Sequence, residues 1–235
     1  MKFHKMINVY KNVYAFITPS EFLKNKLALN GFEEKRIHCI PTFTASKTTI
    51  GEQQIGSYGL YFGRVTEEKG VETVIKAYEK LPEYTVKIMG DDTTDEAKRL
   101  KKYVENHKMK NVEFLGFKSG EELENVIKGA RFTLIPSIWY DNLPNTALES
   151  FQYSKPVIAS NIGSLPELVI DGENGYLFKP SNVEDLIKKI KMLDDDTLVK
   201  KMGQASRKRL ESRFAPQTHY EELMKIFNEA VKSRK

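Results

Sequence analysis

Two stretches of this chain concentrate the residue types that hold phosphates and sugars. The first is Gly63–Gly70, GRVTEEKG, where an apolar run ends in glycine, an arginine follows and a lysine sits five residues later. Arg64 can bridge phosphate oxygens with its planar fork, and Lys69 adds a point charge. Lys69 stands at a helix start, whose free amides and dipole favour an anion. A diphosphate suits this set. The alternative is an ordinary surface loop, in which Arg64 and Lys69 pair with Glu67 and Glu68.

The second stretch runs from Ile135 to Gly175. It carries two carboxylates, Asp141 and Glu149, eight positions apart around a helix start. Pro144 fits a first helical turn, where its missing donor costs nothing. The unpaired amides around Asn145 and Thr146 then point out of the helix end, toward an anion held by Arg64 and Lys69. Glu149, one turn further in, suits the paired hydroxyls of a ribose; otherwise it is a capping or solvent-facing glutamate. Asp141 either holds sugar hydroxyls or a positive centre, or serves as a helix-entry residue beside Asn142. Trp139 and Tyr140 either stack on a sugar or pack. A glycosidase pair would need a separation of about 5 Å or about 6.5–9.5 Å across an open cleft. Such an enzyme leaves the phosphate-gripping loops without a task.

These loops need a scaffold, and the pattern supplies one. Apolar runs at 58–63, 84–90, 112–116, 131–136, 156–160 and 176–178 alternate with helical periodicity at 71–81, 94–107, 120–129, 144–154 and 165–169. Further helices are expected over 181–193, 195–212 and 216–232. Strands alternating with helices imply an α/β fold, a Rossmann-like parallel sheet of six strands with helices on both faces. Ligands bind such sheets beyond the carboxyl ends of the strands. That rule selects the loops 63–70, 90–92, 116–119, 136–145 and 160–164, where the unusual residues fall. Ahead of this domain, 2–11 reads as a short helical pattern and Val13–Thr18 as a strand. Ser20 caps a helix to about Asn30, and Ile37–Ile40 reads as a second strand. The expected division is 1–41 as a remnant of a preceding domain, 42–57 as a polar linker, 58–196 as the Rossmann-like domain, and 197–235 as carboxy-terminal helices.

The totals narrow the function classes. The chain has 235 residues, 40% of them hydrophobic, enough to bury a core. No run approaches the ~18 apolar residues of a membrane helix. The single cysteine, Cys39, excludes an internal disulfide framework and reads as a buried thiol, with the cytoplasm as default location. Residues 1–50 hold 8 basic and 3 acidic side chains (+5), 51–196 hold 19 and 25 (−6), and 197–235 hold 10 and 4 (+6). The acidic middle argues against nucleic acid as a partner. Basic flanks leave open a peripheral contact with an anionic membrane beside the plainer reading of solvated helix faces. His4, His38, His107 and His219 lack metal-site spacing, so no metal is expected. Neither a P-loop nor GxGxxG occurs, which weighs against a nicotinamide dehydrogenase.

Five segments, FGRVTEEKG (62–70), LGF (115–117), IPSIWYDNLPNTALES (135–150), KPVIASNIGSLPEL (155–168) and DGENGYLF (171–178), resemble the donor-binding half of the family 4 retaining glycosyltransferases. Those enzymes have two Rossmann-like domains in a GT-B fold. The resemblance implies that Arg64 and Lys69 grip the donor diphosphate and that Glu149 is the second glutamate of the E-x7-E signature, on the ribose. Asp141 takes the place of the first glutamate, one methylene shorter. Residues 17–41 resemble the join between the two domains, and 197–232 resemble the helices that cross back. The family's acceptor domain would need well over a hundred residues before Val13, so a truncated product, an excised piece or one half of a split enzyme is expected. A separate chain carrying the acceptor domain is then a possible partner.

The resulting expectation is the donor-binding part of a retaining enzyme that moves a hexosyl group from a nucleotide sugar to a glycan or lipid-linked acceptor. Arg64, Lys69 and Asp141 are its catalytic candidates. Gly63, Arg64, Lys69, Phe117, Lys118, Leu143, Asn145, Thr146 and Glu149 are its donor-binding candidates. Gly116–Lys118 face the base, and loop amides near Leu143 orient the sugar. Arg64, Lys69 and the helix-end amides stabilise the leaving diphosphate without a metal or other cofactor. The rivals are a non-catalytic nucleotide-sugar or partner-binding module and a nucleotide-sugar 2-epimerase.

Overall fold

The computed structural model describes residues 9–44 and 54–233. Its centre is a six-stranded, all-parallel sheet of β3 (Tyr58–Phe62), β4 (Thr85–Met89), β5 (Val112–Gly116), β6 (Ala130–Ile135), β7 (Val157–Ser160) and β8 (Gly175–Phe178). The strand order is β5-β4-β3-β6-β7-β8. Chain progress therefore runs one way from β3 and the other way from β6, so their carboxyl ends flank the topological switch point. The expected Rossmann-like sheet is present.

Apolar spacing explains the helices. In α2 (Val71–Glu79) the buried Val71, Val74, Ile75 and Tyr78 follow i, i+3, i+4, i+7 and cover one face of the sheet. The helix α3 (Asp95–Asn106) starts where the Thr94 hydroxyl accepts from the Ala97 amide at 3.1 Å, and it buries Ala97, Leu100 and Val104. Next come α4 (Gly120–Lys128) and α5 (Asn145–Gln152), the latter burying Ala147, Leu148 and Phe151 in a second core with Leu165, Leu168 and Leu210. The short α6 (Leu165–Leu168) precedes β8, and α7 (Val183–Lys191) packs against α2. At the centre, the fully buried Lys155 donates from Nζ to the carbonyls of Gln54, Lys128 and Ala130 at 2.6–2.7 Å. It ties the entry of β3 to the entries of β6 and β7.

Ahead of the sheet, β1 (Phe16–Thr18) and β2 (Ile37–Cys39) form a two-stranded parallel sheet bridged by α1 (Glu21–Leu29). Ser20 caps α1 as expected, accepting from the Leu23 amide. The strand expected over 13–18 is confined to 16–18, and 9–12 form a 3-10 turn; the rest of the 2–11 pattern lies outside the described residues. So does most of the expected linker, 45–53; its described ends, 42–44 and 54–57, hold no helix or strand. The tail helices α8 (Asp196–Arg213) and α9 (Pro216–Lys232) pack back. Through α8 the tail lies against α5, and His219 Nδ1 of α9 donates to the Pro41 carbonyl at 2.7 Å. Among the described residues no helix is long and apolar enough to cross a membrane.

Candidate functional site

The loops after β3 and β6 meet at the switch point because a glycine lets them. Gly70 has φ +67°, and a Cβ there would stand 2.1 Å from the Pro136 carbonyl oxygen. The Ile138 amide donates to the Glu68 carbonyl at 3.0 Å, which closes the two loops together. On the other side a Cβ on Gly90 would come within 1.9 Å of the Gly63 carbonyl oxygen. That close approach brings the β4 loop in beside Gly63.

Between these loops lies one continuous cleft with two chambers. The first, about 310 Å³, reaches from Gly63 and Arg64 to Phe117 and Lys118. The second, about 360 Å³, holds Lys69, Asp141, Asn145 and Ser137. Gly63, Arg64, Thr146 and Glu149 line both. All the expected site residues except Leu143 therefore border the same space. Arg64 is exposed, and its side chain makes no hydrogen bond or ion pair among the described residues. Its guanidinium makes no close ion pair with Glu67 or Glu68, although its charge is among the causes that hold the Glu68 carboxyl below the usual range, after hydrogen bonds from Thr66 and the Glu68 backbone.

The helix starts one residue later than the proline implied. Pro144 is the N-cap of α5, without a side-chain cap, and the first amide drawn into the helix is that of Ala147, to the Pro144 carbonyl at 3.1 Å. The amides of Asn145 and Thr146 are left without partners among the described residues and border the second chamber. Glu149 is half-buried at the junction of the chambers, likewise without a partner among the described residues. Burial pushes its carboxyl above the usual range.

Lys69 and Asp141 differ from Arg64 and Glu149 in being paired already. Lys69 Nζ forms an ion pair with Asp141 Oδ1, and the Ser137 hydroxyl donates to Asp141 Oδ2. Leu143 corrects an expectation. Its side chain is buried, its φ is +54°, and its amide donates to Ser164 Oγ at 2.7 Å, so it is not free to orient a sugar. Ser164 Oγ in turn donates to the Asp141 carbonyl at 2.7 Å. Sequence reasoning missed Ser137 and Ser164; the partners of Ser164 lie in another segment, and the local signal for Ser137 is a serine four residues before Asp141.

At the other end, Phe117 is 73% exposed at the first chamber, and Lys118 pairs with Glu122 at 3.5 Å. Trp139 and Tyr140 line neither chamber; Tyr140 packs on Phe22 with ring centres 5.0 Å apart. Cys39 is half-buried, and burial, then Glu21 and Glu167, push its thiol up to about 12. The neutral thiol is thereby favoured over the thiolate near neutral pH.

Comparison with known proteins gives the same picture. Residues 49–209 match the family described as "Glycosyl transferases group 1". An uncharacterized glycosyltransferase of Methanocaldococcus jannaschii is 30% identical over 190 residues, 80% of this chain and 52% of that protein. A glycogen synthase of Mycobacterium tuberculosis is 31% identical over 75% of this chain and 42% of its own length. The chain thus spans about half the length of the curated relatives it matches. Among solved structures, a glycosyltransferase from Rickettsia africae superposes with a TM-score of 0.86 at 21% identity, over 96% of this chain and 66% of that one. Anabaena HepE, solved with UDP and glucose, gives 0.81 at 19% identity over 92% and 63%. The half-GT-B sheet, the switch-point cleft and the match across 49–209 lead to one conclusion: this chain belongs to the group 1 glycosyl transferases.

Proposed function

We propose that the chain binds the nucleoside-diphosphate-sugar donor of a retaining hexosyltransferase, one that passes the sugar to a glycan or lipid-linked acceptor. The observation that carries this reading is the set of unpartnered groups on one cleft: the Arg64 guanidinium, the Asn145 and Thr146 amides, and the Glu149 carboxylate. Donors for an anion and an acceptor for hydroxyls, left open side by side, match a ribose next to a diphosphate. The base then lies in the first chamber, by Phe117 and Lys118, and the sugar extends into the second.

The chemistry asked of the chain is electrostatic. As the sugar–phosphate bond breaks, negative charge gathers on the departing diphosphate. Lys69 and the two helix-end amides are pre-set donors for that charge and need little reorganisation, while Arg64 closes on it from the cleft wall. Glu149 fixes the ribose, and with it the position of the diphosphate.

Calorimetric titration with UDP, GDP and ADP tests the reading. At least one is expected to bind at micromolar concentration. Absence of heat with all three, and with their hexose derivatives, would sink it.

A further inference from the structure

Asp141 occupies the place where the resemblance puts a sugar-holding acid, and its surroundings describe a further task. Both carboxylate oxygens are engaged inside the protein, one by the Lys69 ammonium and the other by the Ser137 hydroxyl. Ser137 is buried, and the paired side chains are only 19% (Lys69) and 16% (Asp141) exposed. The ion pair is therefore sheltered from the screening that weakens surface pairs.

The backbone at both ends is also fixed. The Asp141 carbonyl accepts from Ser164 Oγ at 2.7 Å and from the Ser164 amide at 3.3 Å. A Cβ on Gly163 would stand 3.1 Å from that same carbonyl oxygen, so the two loops lie in contact. At the other end Lys69 closes a 3-10 turn, its amide donating to the Thr66 carbonyl at 3.0 Å, and Gly70 seats that turn on Pro136.

We propose that Asp141 is a positioning residue that holds the Lys69 ammonium in place for the donor diphosphate. This rests on the donor reading above. A lysine is a flexible four-carbon stem carrying a compact charge, and ordering it costs rotamer freedom. The Asp141–Ser137 pair imposes that order before the ligand arrives. Arg64, which makes no hydrogen bond or ion pair among the described residues, remains free to close on the phosphates.

The test compares Asp141→Asn, Ser137→Ala, Lys69→Ala and the Lys69→Ala/Asp141→Asn double variant by calorimetry, using a nucleoside diphosphate and its hexose derivative. The structure predicts that Asp141→Asn weakens both ligands by a similar factor, about five- to tenfold. Ser137→Ala should weaken both by a smaller factor, and Asp141→Asn should add nothing in the Lys69→Ala background. Weakening of the sugar nucleotide alone, or tighter diphosphate binding in Asp141→Asn, would overturn the assignment. A second readout needs no ligand: acetylation of Lys69 by a lysine-directed reagent, followed by mass spectrometry. It should be slow in the wild-type chain and several-fold faster in Asp141→Asn; equal rates would also overturn the assignment. Failure of the wild-type chain to bind any nucleotide counts against the donor reading, while the labelling result still decides the role of Asp141.

Discussion

Glu149 keeps a half-buried carboxylate with no partner among the described residues, and that arrangement has a stability cost. Burial raises its folded-state pKa, so the charged form is disfavoured in the native protein. The cost is present in full above the folded pKa and disappears as pH falls through it toward the unfolded value. Glu149→Gln should therefore raise the urea midpoint at pH 7, with the gain shrinking as the solution is acidified. The same change should weaken nucleoside diphosphate binding about tenfold, since hydrogen bonds to charged groups contribute ~1.5–3 kcal/mol. A variant both less stable and equally tight in binding would contradict this account. The meeting of Arg64, Thr146 and Glu149 on one cleft was legible in the sequence because each side chain or amide type limits its partners. The Lys69–Asp141–Ser137 arrangement was not, since an acid on a loop has many possible partners and only the tertiary fold selects one.

At the scale of elements, the regular alternation of apolar runs and helical spacing made the six strands readable, and most of their edges fall within one residue of expectation. The ends slip where side chains do not mark them: α5 starts at Asn145, because Pro144 supplies the cap instead of the first turn. Lys155 shows what periodicity hides. A lysine just ahead of a buried strand reads as a boundary, but its ammonium satisfies three backbone carbonyls, one before β3 and two at the entry of β6. Lys155→Met should destabilise the fold by about 2–3 kcal/mol in urea denaturation, because each orphaned buried carbonyl costs on the order of 1 kcal/mol or more. An unchanged midpoint would mean that water replaces the ammonium and that the strand entries do not depend on it.

The whole molecule joins two units of different solidity. The six-stranded sheet has helices on both faces, whereas β1, β2 and α1 depend on contacts from outside. Glu167 caps α1 by accepting from the Glu21 and Phe22 amides at 2.8 and 2.7 Å, Ser20 donates to Asn142 at 2.8 Å, and α9 reaches Pro41 through His219. Removing 215–235 should lower hydrogen-exchange protection across 16–18 and 37–39 while leaving β3, β4 and β6 protected; equal loss in both would show a single cooperative unit. The packing of the tail onto the amino-terminal segment was readable only through family likeness, since no local pattern pairs residue 219 with residue 41. The account as a whole rests on a ribose and a diphosphate sharing the switch-point cleft. Its most direct test is to titrate wild-type chain and Glu149→Ala with the preferred nucleoside diphosphate and its 2′,3′-dideoxy analogue. The account predicts about a tenfold preference of the wild-type chain for the ribose form, lost in Glu149→Ala. Equal affinity of the wild-type chain for both would contradict it.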